Sequence, residues 1–160
     1  MTQRISRRQM LRNTAMTGFG AWVAGSTSAS YGSLPSEKLN IACIGIGGRG
    51  RANLNSLANQ NIVALCDVDD SRAGNAYKKF GKAEKFYDFR KMFDSMSKDI
   101  DAVSVSTPDH AHFHPSVAAL QLGKHLYCEK PMAHSIQEAR IMTDLARKQK
   151  VATQLGVQRH

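Results

Sequence analysis

No apolar run in this chain reaches the ~20 residues that a helix needs to span a bilayer. Aromatic side chains make up only 7% of the residues, and the basic ones are interleaved with acids, as in Lys78, Lys79, Lys82, Glu84 and Lys85. A nucleic-acid surface needs a basic stripe with stacking platforms, so no nucleic-acid partner is expected and these charges read as a solvated face. Cysteine is scarce as well. Cys43, Cys66 and Cys128 each lie in or at the end of an apolar run, where cysteine behaves as a small buried hydrophobe. Because three is odd, a reactive thiol or a cross-link stands as the alternative. Repeats and low-complexity segments are absent after residue 36, and the first thirty residues contain no acid at all.

Those thirty residues have the layout of an address. Arg4, Arg7, Arg8 and Arg12 precede Thr14 to Ala24, eleven uncharged and mostly small or apolar residues, and small residues follow through Ser30. Charged, apolar and small-residue regions in that order predict a cleavable signal over 1–30, with a linker over 31–37. Ser6-Arg7-Arg8-Gln9-Met10-Leu11-Arg12 resembles the twin-arginine export motif, which is read by a dedicated receptor. That implies the twin-arginine export machinery as a partner and a periplasmic or otherwise exported location. The competing reading is a disordered basic tail. Removing the four arginines takes four charges from the formal +9 and leaves +5 on the remainder.

From Leu39 onward the chain alternates strand-like and helix-like segments. Strands are expected at 39–45, 62–67, 102–106, 124–128 and 151–155. Helices are expected at 49–59 (Leu54, Leu57 and Ala58 inward), 70–80, from Asp109 as N-cap to Leu122, and after Ser135. Between them, 86–96 reads as a short strand and a short helix with Met92, Phe93 and Met96 inward. Ser135 and Glu138 form a capping box, and Ile136, Ala139, Met142, Leu145 and Ala146 fall on one face of the helix it opens. Alternation of this kind predicts an α/β fold, a Rossmann-type doubly wound parallel sheet filling 38–160 as one domain.

The glycine-rich turn is the strongest motif. Gly45, Gly47 and Gly50 form G-x-G-x-x-G directly after the first strand, with Gly48 and Arg49 inside it, and Asp67 follows Gly45 by 22 residues. A sharp turn, a close backbone approach and a free helix N-terminus suit a pyrophosphate, and the acid suits a ribose hydroxyl pair. Two further segments leave strands at the same edge: Ser106-Thr107-Pro108-Asp109-His110-Ala111-His112 and Cys128-Glu129-Lys130-Pro131. Lys130 follows an apolar strand, where burial and a nearby cofactor could tune an ammonium for proton transfer; the alternative is a surface lysine. Glu129 would pair with Lys130 or another base, or be solvated. His110, His112 and His114 suggest a metal cluster at first sight, but no acid or cysteine completes a ligand set. No metal is expected, and the histidines read as helix-start packing, with one of them facing a cofactor as the possible exception.

Taken together, GIGGRG at 45–50, CDVD at 66–69, STPDHAH at 106–112 and CEKP at 128–131 closely resemble the glucose–fructose oxidoreductase / inositol dehydrogenase (Gfo/Idh/MocA) family in order and spacing. The resemblance covers about 38 to 160 and implies the cofactor-binding part of a two-domain enzyme that moves hydride between NAD(H) and a sugar or polyol. By position, Gly45, Gly47 and Gly50 match its pyrophosphate loop and Asp67 its ribose acid. Thr107, Pro108 and His112 match the segment beside the cofactor, and Glu129 and Lys130 its E-K-P motif. The lysine of that motif contacts the reacting hydroxyl, and the peptide bond before its proline is often cis. A carboxylate at Asp67 favours NAD, with NADP a second candidate through Arg49 or Arg72. The chain stops at His160, short of the family's second catalytic group and of the domain that selects substrate and builds oligomers, so it reads as truncated. The alternatives are an NAD-dependent glycosidase or lyase of the same superfamily, or a non-catalytic nucleotide-binding fragment.

Overall fold

The computed structural model describes residues 38–157. The expected signal at 1–30 and linker at 31–37 lie outside the described residues. Six strands, β1 (Asn40–Ile44), β2 (Asn61–Cys66), β3 (Glu84–Phe86), β4 (Ala102–Val105), β5 (His125–Glu129) and β6 (Thr153–Gly156), form one sheet in the order β3-β2-β1-β4-β5-β6. Every pair is parallel. The connections hold α1 (Gly48–Ser56), α2 (Asp70–Lys79), α3 (Phe89–Met96), α4 (Phe113–Gln121) and α5 (Ile136–Gln149).

The middle of the sheet is buried on both faces because β1, β2 and β4 are apolar at consecutive positions, whereas the edge strands β3 and β6 are largely exposed. Ile41 and Cys43 of β1 point into one core with Leu65, Leu54 of α1, and Ala73 and Ala76 of α2. Ala42 and Ile44 point the other way, into a core with Val103, Val105, Met92, Phe93, Leu120 and Met142. One strand therefore supplies both cores by its period of two. This is a Rossmann-type doubly wound sheet, as the alternation predicted. All three cysteines are buried and free, and burial pushes the thiols of Cys43 and Cys66 up to about 12.

Several element ends differ from expectation. α1 stops at Ser56, so Ala58 is exposed. Asp109 caps no α-helix: residues 109–111 form a 3-10 turn after Pro108, and α4 starts only at Phe113. Ile136, expected on the buried face of α5, is 75% exposed, while Met142 is buried. The capping box is present, Ser135 Oγ accepting from the Glu138 N–H at 3.2 Å and Glu138 Oε2 from the Ser135 N–H at 3.0 Å. Among the described residues no helix is long and apolar enough to cross a membrane.

Candidate functional site

The strand order inverts between β1 and β4, and a crevice opens there at the carboxyl edge of the sheet. A cavity of about 640 Å³ occupies it, lined by residues of the glycine turn and of the segments after β2, β3 and β4. Gly45 leaves β1 at φ +78°, its N–H donating to the Cys66 carbonyl at 2.8 Å. A Cβ there would lie 2.7 Å from the Ser106 and Thr107 backbone, and one on Gly50 would collide with the Gly45 carbonyl. Only glycine lets turn, helix and β4 approach so closely.

Gly47 is the N-cap of α1. No side chain caps this end among the described residues, and the first turn holds no acid. Its N–H groups and partial positive charge are therefore open to an anion. Asp67 stands beside them. Oδ2 accepts from the N–H groups of Ile46 (2.8 Å) and Gly47 (3.1 Å), and Oδ1 accepts from the Asp69 N–H at 3.0 Å. A carboxylate offers about four acceptor positions, so Asp67 braces the turn and keeps capacity for a further donor. Arg49 and Arg72 line the cavity, and Arg72 Nε lies 3.4 Å from Asp69 Oδ2.

On the other side of the turn, Thr107 and Pro108 line the cavity. Thr107 Oγ1 is buried with no hydrogen-bond partner among the described residues, as expected of a hydroxyl awaiting a ligand. His112 stands behind this wall, 1% exposed. Its Nδ1 is 2.6 Å from the Pro131 carbonyl oxygen and its Nε2 is 2.8 Å from that of Thr107. The ring thus ties the segment after β4 to the Lys130-Pro131 turn, whose peptide bond is cis. His110 and His114, not His112, face the cavity. Among the described residues no group of three or more histidines, cysteines, aspartates or glutamates is placed to hold a metal ion.

Of the readings open at the E-K-P turn, the surface lysine is the one present and the solvated glutamate is not. Lys130 is exposed, not buried, at the surface of the described residues, so burial does not tune it there. Glu129 is not solvated: it is 5% exposed, and its Oε1 accepts from Asn53 Nδ2 at 2.8 Å and from the Tyr127 hydroxyl at 3.0 Å. Asn53 Nδ2 also lies 2.9 Å from Ser106 Oγ. Asn53 went unnoticed in the sequence, although a polar residue on the inward stripe of α1, between Gly50 and Leu54, was the available signal.

A family model described as an oxidoreductase family with an NAD-binding Rossmann fold, GFO_IDH_MocA, matches residues 39–157. The chain belongs to this family. It is 34% identical over 122 residues to glucose-6-phosphate 3-dehydrogenase of Bacillus subtilis, covering 72% of this chain and 33% of that protein. It is 33% identical over 150 residues to a glycosyl hydrolase family 109 protein of Solibacter usitatus, covering 83% and 34%. Among solved structures, scyllo-inositol dehydrogenase from Lactobacillus casei with bound NAD(H) and scyllo-inositol superposes with a TM-score of 0.67 at 27% identity, over 75% of this chain and 36% of that one. The chain thus spans about a third of the length of the relatives it matches.

Proposed function

We propose that residues 38–160 bind NAD across the carboxyl edge and form the cofactor half of an oxidoreductase acting on a sugar or polyol. The observation that carries this reading is the convergence of an uncapped helix N-terminus, the Asp67 carboxylate and the unpartnered Thr107 hydroxyl on one cavity. In this reading Gly45, Gly47, Gly48, Arg49 and Gly50 hold the pyrophosphate and Asp67 the ribose hydroxyls. Thr107, Pro108, His112 and Glu129 shape the far end, directly or through their neighbours. NAD supplies the hydride acceptor when bound. Lys130 donates a hydrogen bond to the reacting hydroxyl oxygen and takes part in moving its proton. Its exposure supports a group that meets substrate brought by another part of a longer protein.

Calorimetry of NAD binding to the chain tests the first half; absence of binding would overturn it. In a full-length version, Lys130→Ala is expected to lower kcat/KM by about 10²–10⁴-fold, the usual contribution of a positioned proton-transfer group. An unchanged value would remove Lys130 from the chemistry. The glycosidase alternative predicts aglycone release without net NADH, whereas the dehydrogenase accumulates NADH. NADP in place of NAD calls for a 2′-phosphate beside Asp67, which like charge disfavours. Residues 1–30 we assign to twin-arginine export, on their four arginines and lack of acids, with a periplasmic destination.

A further inference from the structure

Tyr87 is an exposed aromatic residue that the fold holds in place. It follows β3 directly and is 54% exposed. Its hydroxyl donates to Asp70 Oδ2 at 2.8 Å. Lys85 Nζ sits over its ring, 4.6 Å from the centroid, and the same ammonium lies 2.7 Å from Asp70 Oδ1 and 4.4 Å from the Tyr77 ring centroid. Fixing a surface side chain costs rotamer entropy, and exposed ion pairs return little of it. Stability alone gives small reason for such a cluster, yet Tyr87 lines the same cavity as the glycine turn and Asp67.

The strand order shows what meets it there. Reading the carboxyl edge from β3 to β5 gives Tyr87, then Asp67 after β2, the glycine turn after β1, Thr107 after β4 and Lys130 after β5. Neighbouring strands are about 4.8 Å apart, so the edge is a ruler on which an extended dinucleotide is laid out. With the pyrophosphate on the glycine turn and a ribose on Asp67, the group one strand further out is the purine base. Lys85 occupies one face of the Tyr87 ring, and Tyr87 nonetheless stays 54% exposed and lines the cavity.

We propose that Tyr87, held by Asp70 and Lys85, is the stacking surface for the adenine ring and thereby a determinant of cofactor affinity. This rests on the NAD reading above, and the test separates the two. ADP-ribose and NAD are titrated calorimetrically into the full chain and into Tyr87→Ala and Tyr87→Phe. NMN, which lacks the adenosine, is followed by NMR shift perturbation, a probe that reads weak binding. One base–aromatic stack is worth a loss of about tenfold. Tyr87→Ala is therefore expected to weaken NAD and ADP-ribose by about that factor, with NMN unchanged. Tyr87→Phe, which keeps the ring and loses its tie to Asp70, is expected to lose less. Unchanged ADP-ribose affinity in Tyr87→Ala, or an equal loss for NMN, would overturn the stacking role while leaving the NAD reading intact. Failure of the wild-type chain to bind NAD or ADP-ribose at all would overturn both.

Discussion

His112 shows how a single side chain holds a site together without facing the ligand. It is 1% exposed, and both ring nitrogens lie within hydrogen-bond distance of backbone carbonyl oxygens, Pro131 at 2.6 Å and Thr107 at 2.8 Å. Truncation to His112→Ala leaves both carbonyls without this partner and opens a cavity. Urea unfolding is expected to show a loss of about 2–5 kcal/mol; a change under about 0.5 kcal/mol, the size of an ordinary surface substitution, would mean that water replaces the ring at no cost. In the sequence, the family resemblance implies His112 in the segment beside the cofactor, while the residues themselves suggest helix-start packing. That it serves the wall rather than lining it could not be read there, because its partners are backbone carbonyls of two other segments. The same holds for Glu129, whose partner Asn53 is 76 residues away. Local motifs are legible in a sequence, while long-range hydrogen bonds depend on packing.

At the level of elements, the helices were more legible than their starts. The glycine turn, the capping box at Ser135 and the inward Met92 and Phe93 are local patterns, and each is present. The start of α4 is not where a capping aspartate placed it, because Pro108 opens a 3-10 turn first and Asp109 falls inside it. The working aspartate caps are elsewhere. Asp69 accepts from the Ser71 and Arg72 N–H groups at the start of α2, and Asp88 accepts from that of Arg90 at the start of α3. The hydrogen bond from the Ser71 hydroxyl, with those from the Ser71 and Arg72 N–H groups, holds the Asp69 carboxyl below its usual range, and the Arg90 guanidinium holds that of Asp88 down at about 2. A depressed folded value means stability that is present above the unfolded value, about 3.9, and lost as pH falls through the folded one. Thermal melts between pH 4 and 2 are therefore expected to show a falling Tm. Asp88→Asn keeps a capping oxygen but no titrating charge, so its melting curve is expected to fall less steeply over that interval. Parallel curves for variant and wild type would show that Asp88 contributes nothing to the acid limb.

For the molecule as a whole, the cofactor cavity exists only when the sheet is assembled. Its walls come from the ends of β1, β2, β3 and β4, and β1 cannot sit between β2 and β4 until residues 102–105 have paired with 41–44. An unfolded chain therefore has no dinucleotide site, and a cofactor bound in the cytoplasm is kept during export only if the protein crosses the membrane folded. Under the twin-arginine assignment proposed above, the pair Arg7-Arg8 ahead of an uncharged stretch would be read by a route for folded cargo, so that proposal and the site proposed for 38–160 make one physical demand. Replacing both arginines by lysine keeps the charge and removes the planar guanidinium fork. In cells with an active twin-arginine pathway, the Arg7→Lys/Arg8→Lys variant is expected to remain cytoplasmic at its unprocessed length, while the wild type appears in the periplasmic fraction as a shorter product. An immunoblot of the two fractions decides the matter. Equal periplasmic amounts of variant and wild type would sink the twin-arginine assignment without touching the NAD site, because the variant leaves residues 38–160 as they are.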